Sequence, residues 1–129
     1  MIGDAPHNQE RDDSTPAEAA LKSGNFREAL DLFRKATPGS CDGALLLRIG
    51  VCQMNLGLLA DAVVSLAAAS FLHGGAKAPA LLASVQLELG DFAGALRSAK
   101  VALQRDPRIG IAQQVMDNPE VQRLSREQS

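Results

Sequence analysis

Two histidines, two cysteines and the adjacent pair Asp12-Asp13 are the side chains to try first for chemistry. His7 stands in an acidic stretch without periodicity, and His73 follows Phe71-Leu72 at a predicted helix end, where an imidazole answers the helix dipole. Neither has a carboxylate or a cysteine at a spacing that makes an acid–base or nucleophilic pair. Cys41 and Cys52 are separated by ten residues, with no Cys-x-x-Cys and no His at ligand spacing. That pattern indicates neither a zinc site nor a disulfide framework, and both read as buried or half-buried thiols. Asp12-Asp13 reads as a solvated acidic patch, and Gly74-Gly75 lacks the Gly-Lys-Ser/Thr of a phosphate loop. No catalytic residue, metal ligand or cofactor is expected, so the chain reads as a non-enzyme.

The elements that would position any site follow from composition. Of 129 residues, 21 are Ala and 18 are Leu, against 4 Phe and no Tyr or Trp. Small and unbranched apolar side chains favour closely packed helices, while strands draw on β-branched and aromatic residues that are scarce here. The expected class is all-α. A formal net charge of −2, with 13 scattered Lys and Arg, lacks the basic stripe of a nucleic-acid binder. The longest apolar stretch, Leu58 to Leu72, contains Asp61 and is too short and polar to span a bilayer. With Asp4, His7 and Glu10 where a signal peptide needs an apolar segment, a cytoplasmic location is the expectation, without membrane insertion.

Residues 1 to 14 are polar and acidic and are expected to form a flexible tail. At Thr15-Pro16-Ala17-Glu18 the signal changes: Thr can cap, Pro suits the first helical position, and Glu can close a capping box. Helical periodicity then runs with three interruptions of one kind, at Gly24-Asn25, Gly57-Leu58 and Gly90-Asp91, each read as a helix-ending glycine and a tight turn. Longer breaks fall at Thr37 to Asp42, His73 to Ala76 and Asp106-Pro107.

Those glycines are spaced by 33 residues twice, and a fixed period of that size means repeats. Aligned on the glycine, the position two later holds Phe26, Leu59 and Phe92, and the position five later holds Ala29, Ala62 and Ala95. Nine later come Phe33, Leu66 and Ala99; twelve later, Ala36, Ala69 and Ala102; seven before, Ala17, Gly50 and Ala83. Small residues recur in three columns because antiparallel helices approach to about 8–10 Å only where their crossing residues lack bulk. Each unit is a helix, a tight turn and a second helix. The predicted units span about 15–40, 42–73 and 76–107, in a domain over 15–117. A cap follows over 108–117, with Ile109, Ile111, Ala112, Val115 and Met116 on its apolar side. Asn118-Pro119 ends that cap, and 118–129 is expected to fray as a short exposed helix.

The segments Gly24-Asn25-Phe26-Arg27-Glu28-Ala29-Leu30 and Gly90-Asp91-Phe92-Ala93-Gly94-Ala95-Leu96 resemble the turn of a tetratricopeptide repeat, and Ala102 to Pro107 resembles its exit. The resemblance covers roughly residues 15 to 107 and implies a right-handed α-solenoid of three helix hairpins plus a C-terminal capping helix, about seven helices in all. The repeats are 33 residues where 34 is usual, and Leu58 stands where Asp or Asn is common. The run Ile49 to Val63, followed by Leu87 to Ala95, is similar to the central repeats of type III secretion translocator chaperones. Those are small acidic cytoplasmic proteins that hold membrane-inserting translocator subunits in a secretion-competent state, and they dimerise through an N-terminal helix. A protein or extended-peptide client is implied, and a homodimer is left open.

In repeats of this kind the first helices line a concave face, and the turn glycine fixes which residues they present. Three before each glycine stand Leu21, Met54 and Leu87; six before, Glu18, Val51 and Ser84; ten before, in the second and third repeats, Leu47 and Ala80, with Asn55 beside Met54. Ile49, Gly50, Gln53, Leu56, Leu82, Ala83 and Gln86 are assigned to packing on the second helices. Leu47, Val51, Met54 and Leu87 are then surplus and expected to be exposed, as an apolar strip that marks a binding groove. Related proteins that bind chaperone C-termini line the groove with Lys, Arg and Asn; Leu47, Val51 and Ala80 at the corresponding positions disfavour that class. The alternative is a scaffold whose groove is filled by its own C-terminal segment or by a second copy.

Overall fold

The computed structural model describes residues 15–36 and 42–128. Among these residues the chain is helical, with no strand: α1 (Pro16–Lys22), α2 (Phe26–Ala36), α3 (Gly43–Asn55), α4 (Leu59–Leu72), α5 (Lys77–Glu88), α6 (Phe92–Arg105), α7 (Gly110–Met116) and α8 (Pro119–Glu127). The tail predicted over 1–14, with His7 and Asp12-Asp13, lies outside the described residues, as does Cys41. The helices fall into two compact units, one holding α1 and α2, the other α3 to α8.

The three repeat glycines do one job. Gly24, Gly57 and Gly90 adopt φ of 83°, 80° and 83°, a conformation that costs glycine least. In each turn the residue after the glycine sends its N–H back to a carbonyl five residues earlier: Asn25 to Ala20, Leu58 to Gln53 and Asp91 to Gln86, all at 2.9 Å. The glycine N–H in turn reaches Leu21, Met54 or Leu87. These are paired bonds of the Schellman type, which satisfy carbonyls left open at a helix end. Helix starts are closed by side chains where the sequence supplies them. Thr15 Oγ1 accepts from the Glu18 N–H at 3.1 Å with Pro16 in the first turn, and Asp91 Oδ1 accepts from the Gly94 N–H at 2.9 Å. Leu58, at the same register as Asp91, gives α4 no side-chain cap.

The small columns lie where helices meet. Ala29, Ala62, Ala95, Ala69 and Ala102 have no exposed surface. Gly50 is a contact point between α3 and α4: a Cβ there would lie 2.6 Å from Leu66 Cδ2, inside any real contact. The central cluster joins Ala62 and Leu66 of α4 to Leu81, Leu82 and Val85 of α5. Arg105 closes the far end of α4, its Nη1 donating to the carbonyls of Ser70, His73 and Gly75 at 3.0, 3.1 and 3.1 Å.

The C-terminal end differs from the sequence expectation. The cap α7 forms, with Ala112 and Val115 buried and packed against α5 and α6. The short exposed helix expected to fray over 118–129 is instead docked: α8 packs against α6 and α7, and among the described residues it is the eighth helix where about seven were expected. Its start is fixed locally: Asn118 Oδ1 accepts from the N–H groups of Glu120 and Val121 at 2.9 and 3.3 Å, and Pro119 supplies the first-turn φ. Val121 then enters the cluster of Ala95, Leu96, Ala99 and Ala102 with no exposed surface. On the solvent side Arg123 pairs with Glu120 at 3.0 Å and Glu127 at 2.8 Å; the hydrogen bond and charge of Glu120, then the charge of Glu127, raise the guanidinium pKa. Such exposed pairs add little stability, so Val121 is the anchor.

Candidate peptide-binding groove

The inner helices of the larger unit, α3 and α5, are each fastened to the helix that follows by the same polar pair. Ser65 Oγ donates to Gln53 Oε1 at 2.6 Å, and 33 residues later Ser98 Oγ donates to Gln86 Oε1 at 2.7 Å. A short hydrogen bond within a helix–helix contact favours one register as well as satisfying polar groups, because sliding either helix breaks it. Sequence reasoning placed Gln53 and Gln86 on the packing face and missed their partners; the available signal was a Gln and a Ser twelve apart in two successive repeats. At its start, α3 is seated tightly on α4, where a Cβ on Gly43 would lie 2.9 Å from His73 Cβ. Asp42 caps α3 there, Oδ1 accepting from the Ala44 N–H at 2.9 Å.

With Ile49, Gly50, Cys52 and Gln53 of α3 turned into the unit, the next face of that helix carries Leu47, Val51 and Met54 at successive turns. These three are half-buried and pack against the cluster of Leu66, Leu82 and Val85, together with Ile111 of α7. The exposed strip expected from the sequence is thus corrected to a half-buried one. On α5, Leu87 is half-buried against the C-terminal cluster and Ser84 is half-buried. Ala80 departs from the expectation outright: it has no exposed surface and sits in the core with Ala83, Ala95 and Ala99, so no ligand can touch its side chain. Asn55 is exposed at the end of α3, its Nδ2 donating to the Val51 carbonyl at 2.8 Å. Glu18 and Leu21 belong to the smaller unit, both half-buried on α1.

The larger unit thus brings Leu47, Val51 and Met54 of α3 and Ile111 of α7 against one buried cluster, while Leu87 of α5 packs against the C-terminal cluster and Ser84 lies half-buried one turn before it. None of these side chains is a nucleophile of lowered pKa, an acid or a base, so the chemistry open to the surface is desolvation and packing. Among the described residues no group of three His, Cys, Asp or Glu could hold a metal ion, and no helix is long and apolar enough to cross a membrane.

The sequence matches no protein-family model and no curated protein. The fold does match solved structures. The Sgt2 TPR domain from Aspergillus fumigatus is similar at TM-score 0.76 and 16% identity, over 96% of this chain and 83% of that one. The Yersinia enterocolitica type III secretion chaperone SycD, in complex with a peptide of the translocator YopD, is similar at TM-score 0.65 and 20% identity, over 86% of this chain and 79% of that one. The first TPR of Spaghetti, bound to the HSP90 peptide SRMEEVD, is similar at TM-score 0.72 and 18% identity, over 87% of this chain and 86% of that one. The chain therefore has the tetratricopeptide-repeat fold, all-α, with three helix hairpins and a helical C-terminal cap. Type III secretion chaperones are among the structures it resembles.

Proposed function

We propose that the chain is a protein-binding module that holds an extended apolar segment of a client along α3 and α5, and that it serves in the cytoplasm as a type III secretion chaperone for a translocator-type subunit. The observation that carries this reading is the row Leu47, Val51 and Met54, half-open on one helix face and backed by a buried cluster. Apolar side chains fixed from below and open above are suited to receive apolar anchors from an extended chain, and a thioether adapts to anchors of different shape. Leu87 and Ser84 continue the same surface on α5. The likeness to a secretion chaperone with a translocator peptide bound supports the client class, and apolar Leu47 and Val51 where a carboxylate clamp needs Lys, Arg or Asn disfavour an acidic C-terminal peptide.

One observation favours the rival reading, a scaffold that fills its own groove: Ile111 of α7 already packs against the cluster beneath Leu47, Val51 and Met54. A single comparison separates the two. Overlapping peptides tiled over translocator subunits are probed with the parent chain and with Met54→Glu, at a temperature where both have the same helix content. A charge where an anchor must be desolvated weakens binding by about 2 kcal/mol. Under the client reading the parent binds apolar segments and the variant loses them. If no peptide binds the parent, or the variant keeps all of them, the groove is not the client site.

A further inference from the structure

We propose that the outward face of α4, with the cations of α6 beside it, adsorbs the larger unit to the headgroup level of an anionic bilayer. Ala62, Leu66 and Ala69 turn inward and are buried, while Val64, Ala67, Phe71 and Leu72 stay outside, Val64 exposed at 71% and Phe71 at 88%. A contiguous apolar face with a nearly bare aromatic marks an interaction surface. One repeat later the same outward positions of α6 are polar or charged: Arg97 for Val64, Lys100 for Ala67, Gln104 for Phe71 and Arg105 for Leu72. All four are exposed. An apolar face on one helix is thus matched, at the same register, by a basic face on the next.

The two faces meet at one edge. Arg105 Nη1 donates to the carbonyls of Ser70, His73 and Gly75, so the end of α6 lies against the end of α4, beside Phe71 and Leu72. Those acceptors carry no formal charge, and the guanidinium remains a net cation. Lys77, two residues after Gly75, and Arg108, three after Arg105, are exposed at the same edge. Among the described residues none of Lys77, Arg97, Lys100, Arg105 and Arg108 forms a salt bridge. The acids at the starts of α4 and α6, Asp61 and Asp91, stand at the opposite edge. Nearer the cations, Asp106 accepts from the Arg108 N–H at 3.1 Å, and Glu120 and Glu127 of α8 are paired with Arg123.

This is the make-up of a surface that rests in the headgroup layer: apolar tips that reach the acyl boundary, and Lys and Arg that meet anionic headgroups. A bilayer takes protruding side chains without a matching shape. A protein ligand needs walls, and Phe71, nearly bare, has none. The mode is adsorption, since among the described residues no helix is long and apolar enough to cross a membrane. Nothing in this assignment depends on the groove, because Val64 and Phe71 are on α4 and the groove residues on α3 and α5.

Flotation of the full chain with vesicles tests it, with circular dichroism to confirm helix content. Vesicles of phosphatidylcholine and phosphatidylglycerol in equal parts should carry the chain, phosphatidylcholine alone should not, and added salt should release it. Each Lys or Arg near an anionic surface is worth about fivefold in partitioning, so Arg97→Gln combined with Lys100→Gln should lower it on the order of twentyfold. Phe71→Ser, at a position the fold leaves bare, should lower it on the order of tenfold. The chain has no Trp, so in Phe71→Trp the indole emission should shift to the blue on anionic vesicles. A chain that stays off anionic vesicles overturns the proposal, as it would if an acidic protein segment or a second copy of this chain were the natural occupant. Binding that ignores headgroup charge, that survives Phe71→Ser or the double glutamine variant, or that leaves the Phe71→Trp emission unshifted also overturns it.

Discussion

The smallest side chains bear the strictest constraints in this molecule. Ala62 has no exposed surface and stands where α4 meets its neighbours, with Leu66 one turn on pressing against Gly50. Ala62→Leu has no void to fill and should cost about 1–3 kcal/mol by overpacking, read as a fall in the thermal midpoint; an unchanged midpoint would contradict the packing. Gly94 gives a sharper case. In an open helix, Gly→Ala usually gains about 1 kcal/mol. Here the added Cβ would overlap the Asp91 carboxylate that caps α6 and come within 2.9 Å of Gln86 Nε2. Gly94→Ala should therefore forfeit that gain, because the disturbed cap costs about 1 kcal/mol in return, and a clear rise in the chemical-denaturation midpoint would contradict the close contact. The alanine columns were legible because size is a property of one residue and recurs in register. The Gln53–Ser65 and Gln86–Ser98 bonds were not, because a polar residue on a packing face does not announce its partner.

At the scale of elements, hairpins and turns were readable, and for the last helix the docking was not. Each turn needs a residue that tolerates positive φ, and Gly24, Gly57 and Gly90 mark those points unambiguously. In α8 only Val121 and Leu124 face inward, too few to set a period among Glu, Gln and Arg, and the helix is held by a cap and one buried anchor. Val121→Ala should cost about 2 kcal/mol, the worth of two buried methyl groups plus the cavity left behind. A fraying segment would give no change in the denaturation midpoint. The strip on α3 was half-legible: helical spacing put Leu47, Val51 and Met54 on one face correctly, but how far neighbouring helices rise around them depends on packing that the period does not encode.

For the whole molecule, fold and role separate. A repeat period with small residues at the helix crossings constrains the fold far more than the remaining residues do, and structures of 16–20% identity share it. The same crossings say nothing about the client, which is chosen by the side chains the inner helices leave open. The central claim is that those side chains, on α3 and α5, receive a protein segment. Backbone hydrogen exchange with and without the tightest-binding translocator peptide tests it most directly. New protection confined to residues 47–55 and 84–88, and lost again in Met54→Glu, is the predicted result. Protection that falls instead on the outward face of α4 or on α8, with residues 47–55 and 84–88 unchanged, would contradict it.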